Sequence, residues 1–187
     1  LFIFESAKDV KGTATLTFTH KLNPDDQWLY LPALKRVKRI TSDNRSGSFV
    51  GSEFAYEDLG SQELEKYKDR KYLRKEACPN NNDLECHVIS RVPTEKSSGY
   101  KYQVLWLDDT AAHKVWKIDY FDRKGSHLKT LFFDDYKIYL DKHWRPSVYK
   151  MINHQTGKST DLLVQNIKFK VGLSSRDFNP KSLSRAR

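Results

Sequence analysis

The feature that most constrains this chain is a period of two. Thr13 to His20 alternate hydroxyl and mostly apolar side chains, which places Ala14, Leu16 and Phe18 on one face of an extended strand. Similar segments recur at Gln27 to Pro32, Leu34 to Ile40, Lys71 to Cys78, Leu84 to Val92, Tyr100 to Asp108, His113 to Asp122, His127 to Leu140, Trp144 to Asn153 and Thr160 to Val171. Turn formers separate them, among them Asn23-Pro24-Asp25-Asp26, Arg123-Lys124-Gly125-Ser126 and His154-Gln155-Thr156-Gly157. About ten strands, joined largely as consecutive hairpins, predict a mainly β antiparallel meander, sandwich or barrel. Helix is scarce. Gly60 to Asp69 has room for two turns with Ser61 as N-cap, and Ser52 to Leu59 for one more. The length suits one domain, expected over residues 1–173, with a polar C-terminal tail over 174–187.

Composition removes several function classes. Ten Tyr, ten Phe and four Trp argue against disorder. The apolar runs are far below the ~20 residues of a spanning helix. A net charge of +9 points to an anionic partner: nucleic acid, an acidic membrane surface or an acidic protein. Nucleic acid is set aside, because Arg36-Val37-Lys38-Arg39 lacks interleaved aromatics and no RNP-like motif occurs. Gly47 and Gly51 form no phosphate loop, since no Lys follows. No G-x-S-x-G elbow is present. His143 and His154 are the nearest histidine pair, so no local metal-ligand spacing exists. The acidic pairs Asp25-Asp26, Asp108-Asp109 and Asp134-Asp135 would point to opposite faces of a strand, which suits turns and edges better than acid-base work. No cofactor, metal or enzymatic activity is expected.

Cys78 and Cys86 bracket the turn-forming run Pro79 to Asp83. A hairpin there would bring them within bridging distance and imply an oxidising compartment. Two unrelated buried thiols are the alternative. In the basic strand Leu34 to Ile40, alternation gives Lys35, Val37 and Arg39 one face and Arg36, Lys38 and Ile40 the other. Arg36 and Arg39 are candidates to meet an anionic headgroup or an acidic partner. A plain solubilising edge accounts for them equally well.

Three segments carry a family resemblance: Asp9 to Ala14 (DVKGTA), Asp26 to Ile40 (DQWLYLPALKRVKRI) and Arg45 to Leu59 (RSGSFVGSEFAYEDL). With the two cysteines and the Val104 to Asp108 strand, they resemble the outer-membrane lipoprotein-sorting family, the LolA-like group of Gram-negative bacteria, in its branch linked to RND-type exporters. The resemblance implies an unclosed antiparallel β-barrel around an apolar cavity, with a few short helices as a lid, in a periplasmic protein that binds acyl chains. The helix and strand that the family carries upstream of DVKGTA are expected to be absent here.

On that fold the candidate cavity wall is Leu16, Phe18, Leu29, Leu31, Val104, Trp106, Trp116 and Ile118, with Phe132; a filled sandwich core is the alternative. Phe49, Phe54 and Tyr56, on a segment made permissive by Gly47 and Gly51, are candidates for the cavity mouth. The expected function is a non-enzymatic periplasmic carrier or chaperone for a lipid or lipidated protein. Each buried CH₂ is worth about 0.8 kcal/mol, so an acyl chain binds without special polar chemistry. Peripheral membrane contact fits the charge. The alternative is a structural or adaptor protein docking to an inner-membrane exporter of the RND type or another envelope complex. A hydrolase ranks third, for want of a nucleophile-base arrangement.

Overall fold

The computed structural model describes residues 1–6 and 10–185. Asp9, which opens the DVKGTA segment, and residues 186–187 of the expected tail lie outside the described residues. Strands β1 (Phe2–Ile3), β2 (Ala14–Phe18), β3 (Asp26–Leu31) and β4 (Arg36–Ile40) form a small antiparallel sheet in that order. The large sheet runs from β5 (Tyr67–Cys78) through β6 (Asn81–Pro93), β7 (Tyr100–Asp108), β8 (Val115–Asp122), β9 (His127–Tyr139) and β10 (His143–Asn153) to β11 (Ser159–Leu163), each strand pairing with its sequence neighbour. The result is an unclosed antiparallel β architecture, as expected.

The turns follow from local chemistry. Between β8 and β9, Asp122 Oδ1 accepts from the Lys124 and Ser126 amides, and Gly125 takes φ 92°. Between β10 and β11, Asn153 Oδ1 accepts from the amides of Gln155 and Thr156. The β5–β6 turn is tighter than expected. Asn81 already pairs with Cys78, leaving Pro79 and Asn80 at the bend, with Asn80 at φ 62°. Cys86 stands opposite Glu76, so the Cys78–Cys86 disulfide crosses a register shift that brings the two Cα atoms 4.9 Å apart.

Two local expectations are corrected. The helix expected over Gly60 to Asp69 does not form. Leu64–Lys66 is a single 3-10 turn, and Tyr67 opens the 12-residue strand β5. Two isolated helical turns are marginal, and pairing Tyr67 with Pro93 and Lys68 with Val92 extends the sheet instead. The strand expected to reach Val171 ends at Leu163.

Apolar side chains collect in three places. The space between the sheets holds Leu29, Ile40, Leu105, Ile118, Leu131 and Met151, together with Phe49 and Phe54 from the β4–β5 connection. The opposite, back face of the large sheet holds Cys78, Cys86, Val88, Val104, Trp106 and Trp116. On the outer face of the small sheet, Ala14 and Leu16 pack against Leu183. Leu183 is 2% exposed and lies in a 3-10 segment, Pro180–Arg185, so this part of the expected tail is packed on the domain.

Candidate functional site

The register of the large sheet arranges its inward face in rows. Ile89, Leu105, Ile118, Leu131 and Met151 are successive cross-strand partners and form an apolar row. Two residues along each strand, Arg91, Gln103, Tyr120, Lys129 and Asn153 are again successive partners and form a polar row on the same face.

The β4–β5 connection covers both rows. Over the apolar row it inserts Phe49 and Phe54, with Tyr56 edge-on to Phe49 at 5.4 Å between ring centroids. Over the polar row it sets carboxylates. Asp58 accepts from Lys129 Nζ at 2.7 Å, the Tyr100 hydroxyl at 2.7 Å and the Ala55 amide at 2.6 Å. Glu53 accepts from Asn153 Nδ2 at 2.7 Å. Glu57 accepts from the Ser98 hydroxyl at 2.7 Å and the Gly99 amide at 2.9 Å. Gly99 is needed for that approach, because a Cβ there would lie 3.0 Å from Ser46 Cβ and 3.3 Å from Glu57 Oε1. Arg45 binds Glu95 at 2.6 Å and lies 3.7 Å from Asp25, whose buried carboxylate also takes Lys66 Nζ at 2.6 Å.

Where this connection meets the polar row, a cavity of about 330 Å³ remains, lined in part by Arg45, Glu57, Gln62, Tyr67, Gln103 and Tyr120. Burial raises the Glu57 carboxyl above its ordinary value and pushes the Tyr100 and Tyr120 phenols far up. The same cause raises Tyr67 and lowers Arg91. Arg91 is 7% exposed and stacks on the Tyr67 ring, its Cζ 3.5 Å from the centroid. Its Nε donates to Gln103 Oε1 at 2.8 Å and its Nη2 to Gln62 Oε1. Among the described residues, no group of three or more His, Cys, Asp and Glu side chains is placed to hold a metal ion.

The residues singled out for the cavity wall are brought together only in part. Leu29, Leu31 and Ile118 lie between the sheets. Leu16 is on the outer face of the small sheet, and Phe18 beside it is 36% exposed against Trp28. Val104, Trp106 and Trp116 are on the back face, and Phe132 shares the parity of its partner Lys117, whose ammonium lies over Trp106. Trp116 and Ile118 were expected on one face. A register shift beside Trp106 and Leu107 leaves Trp116 as the extra residue and turns the two apart. Phe49, Phe54 and Tyr56 occupy the core instead of rimming an opening. Arg36 is exposed, whereas Arg39 pairs with Asp26 and lies 6.0 Å over Trp28.

Comparisons with known proteins find the same unclosed antiparallel architecture in several relatives. A family model described as "uncharacterized protein" matches residues 1–185. An outer-membrane lipoprotein-sorting protein domain from Vibrio parahaemolyticus is 52% identical with a TM-score of 0.89, over 98% of this chain and 76% of that one. A DUF1329 family protein from Desulfovibrio piger is 27% identical, TM-score 0.84, over 97% and 75%. A LolA superfamily protein from Nitrosomonas europaea, 18% identical with a TM-score of 0.69 over 95% and 74%, shares the fold. The comparison with curated proteins gave no match. The chain belongs to the outer-membrane lipoprotein-sorting protein family, and its fold is LolA-like. Among the described residues, no helix is long and apolar enough to cross a membrane.

Proposed function

We propose that the protein is a non-enzymatic periplasmic carrier of lipid or lipidated protein in the bacterial envelope. One observation carries this reading. The apolar row is covered partly by Leu29 and Ile40 of the small sheet and partly by the loop aromatics Phe49 and Phe54, whose segment polar contacts hold in place. Acyl chains occupy the apolar row when those rings swing out, and the polar end of the cargo faces the polar row. The family resemblance and the name of the Vibrio relative support the same reading. Native mass spectrometry of protein purified from membranes, combined with hydrogen exchange of residues 45–59, tests it. The expected result is co-purified lipid and faster exchange in this segment when an acyl-chain probe is added. No lipid and no change in exchange would defeat the carrier reading.

A second reading rests on the same aromatics. If they fill the inward face permanently, the protein acts as an adaptor docking to an RND-type exporter or another envelope complex. It requires exchange in 45–59 to stay slow with acyl probes and a partner to be recovered by cross-linking in the envelope.

A further inference from the structure

The buried cations of the polar row and its covering loop are paired with carboxylates, with one exception. Asp25 is matched by Lys66 and Arg45, Arg45 also by Glu95, and Lys129 by Asp58. Arg91 has no carboxylate within ion-pair distance among the described residues. Its named partners are two amide oxygens, of Gln62 and Gln103, and the face of Tyr67. A buried cation held by neutral groups carries a desolvation cost that amide oxygens and an aromatic face repay less fully than a carboxylate would. Gln62, Gln103 and Tyr67 all line the cavity, and Arg91 lies directly behind them, so that moving Gln62 aside opens its guanidinium to the cavity. Tyr120, 2% exposed, lines the same cavity, as does Arg45, whose buried Nε has no hydrogen-bond partner among the described residues.

We infer that the cavity is an anion site in which Arg91 takes a phosphate or carboxylate group. The planar guanidinium presents a fork that matches two oxygens of either group. Stacking on Tyr67 and the bond to Gln103 fix its plane, leaving Nη hydrogens for the ligand. Gln62 is exposed at the surface and exchanges its contact with Arg91 for the anion. The Tyr120 hydroxyl donates the additional bond. This rests on the carrier reading for the source of the anion, a lipid headgroup, but the site itself does not need an acyl chain.

The test measures thermal stabilisation and backbone amide shifts of the parent and of Arg91→Gln with three probes: inorganic phosphate, octyl phosphate and octanol. The parent should respond to octyl phosphate, and Arg91→Gln should bind it about tenfold or more weakly, as expected for losing a charge-assisted forked contact. A response to inorganic phosphate as well marks a general anion site, and a response to octyl phosphate without it marks a headgroup site. Without ligand, Arg91→Gln should be at least as stable as the parent, because it removes a buried cation that has no carboxylate partner. Arg91→Lys should bind at an intermediate level. Equal binding of octyl phosphate by parent and Arg91→Gln, or no response of the parent to either phosphate probe, overturns the anion site. An octanol response retained in that case leaves the carrier reading standing, and its absence removes both.

Discussion

Replacing Lys129 by Met should destabilise the domain and release the loop over the inward face. The pair Lys129–Asp58 spans 2.7 Å, with the two side chains 5% and 1% exposed. Removing one partner of a buried pair costs roughly 3–5 kcal/mol, most of it for the charge left behind. Asp58 keeps the Ala55 amide and the Tyr100 hydroxyl, and the Met stem keeps the packing on Tyr100 and Tyr120, so the low end, about 3 kcal/mol, is expected. With a urea slope of about 2 kcal/mol per molar, the midpoint should fall by about 1.5 M. The double variant Lys129→Met/Asp58→Asn should recover about 1–2 kcal/mol of this, because no unpaired charge remains. Hydrogen exchange of residues 53–59 should accelerate in the single variant more than in the double one. If Lys129→Met stays within about 0.5 kcal/mol of the parent, or the two substitutions add, the ion pair does not anchor the loop.

Three further outcomes are expected. Unreduced, denatured protein should show no titratable thiol, and Cys78→Ser/Cys86→Ser should cost about 2–3 kcal/mol, the low range for so short a closed loop; two free thiols would contradict the bridge. Leu183→Ala should cost about 2–3 kcal/mol in denaturant unfolding, since the side chain packs on Ala14 and Leu16; an unchanged midpoint would mean that residues 180–185 do not contribute to the fold. Slight desolvation of an otherwise exposed ring, and then the neighbouring His127 at 4.3 Å between ring centroids, hold His154 below its ordinary value. The unfolded chain therefore binds this proton more readily, and the stability present above about pH 6.5 is lost as pH falls through the folded value. His154→Phe should flatten the stability profile between about pH 7 and 5, and an unchanged slope would exclude His154 as its source.

The strands were legible because alternation and turn residues act locally. Their facing was not. Tyr100 to Asp108 is apolar at both parities, and both faces of the large sheet are in fact buried, Leu105 inward and Val104 and Trp106 on the back. Alternation cannot choose between two buried faces. The register shift beside Trp106 then reverses the parity of Trp116 relative to Ile118, and nothing in those side chains announces it. Once Leu105, Leu131 and Met151 are placed inward, the period of two carries Gln103, Lys129 and Asn153 with them. That was the available signal for the polar row, and it needed one correct facing to be used. The covering loop was out of reach for a different reason. Its anchors join residues as remote in sequence as Glu53 and Thr160, or Asp58 and Lys129, and local propensity contains no term for such pairs.

The two rows also bear on what a carrier of this design would accept. Entry to the apolar row requires Phe49 and Phe54 to leave, and they are tied to Asp58 and Glu53, which hold Lys129 and Asn153 of the polar row. A purely apolar cargo would break the Asp58–Lys129 pair and offer nothing in return. At about 3 kcal/mol that is a penalty on the order of a hundredfold in affinity. A cargo with an anionic end gives Lys129 a replacement partner in the act of displacing the loop, and Arg91 a first one, so most of the penalty is recovered. In such a carrier acyl chains would supply affinity along one row, and the charged end would determine whether the loop opens at all. Selection for amphiphiles over neutral lipids would then follow from the loop's own anchors, without a dedicated recognition element.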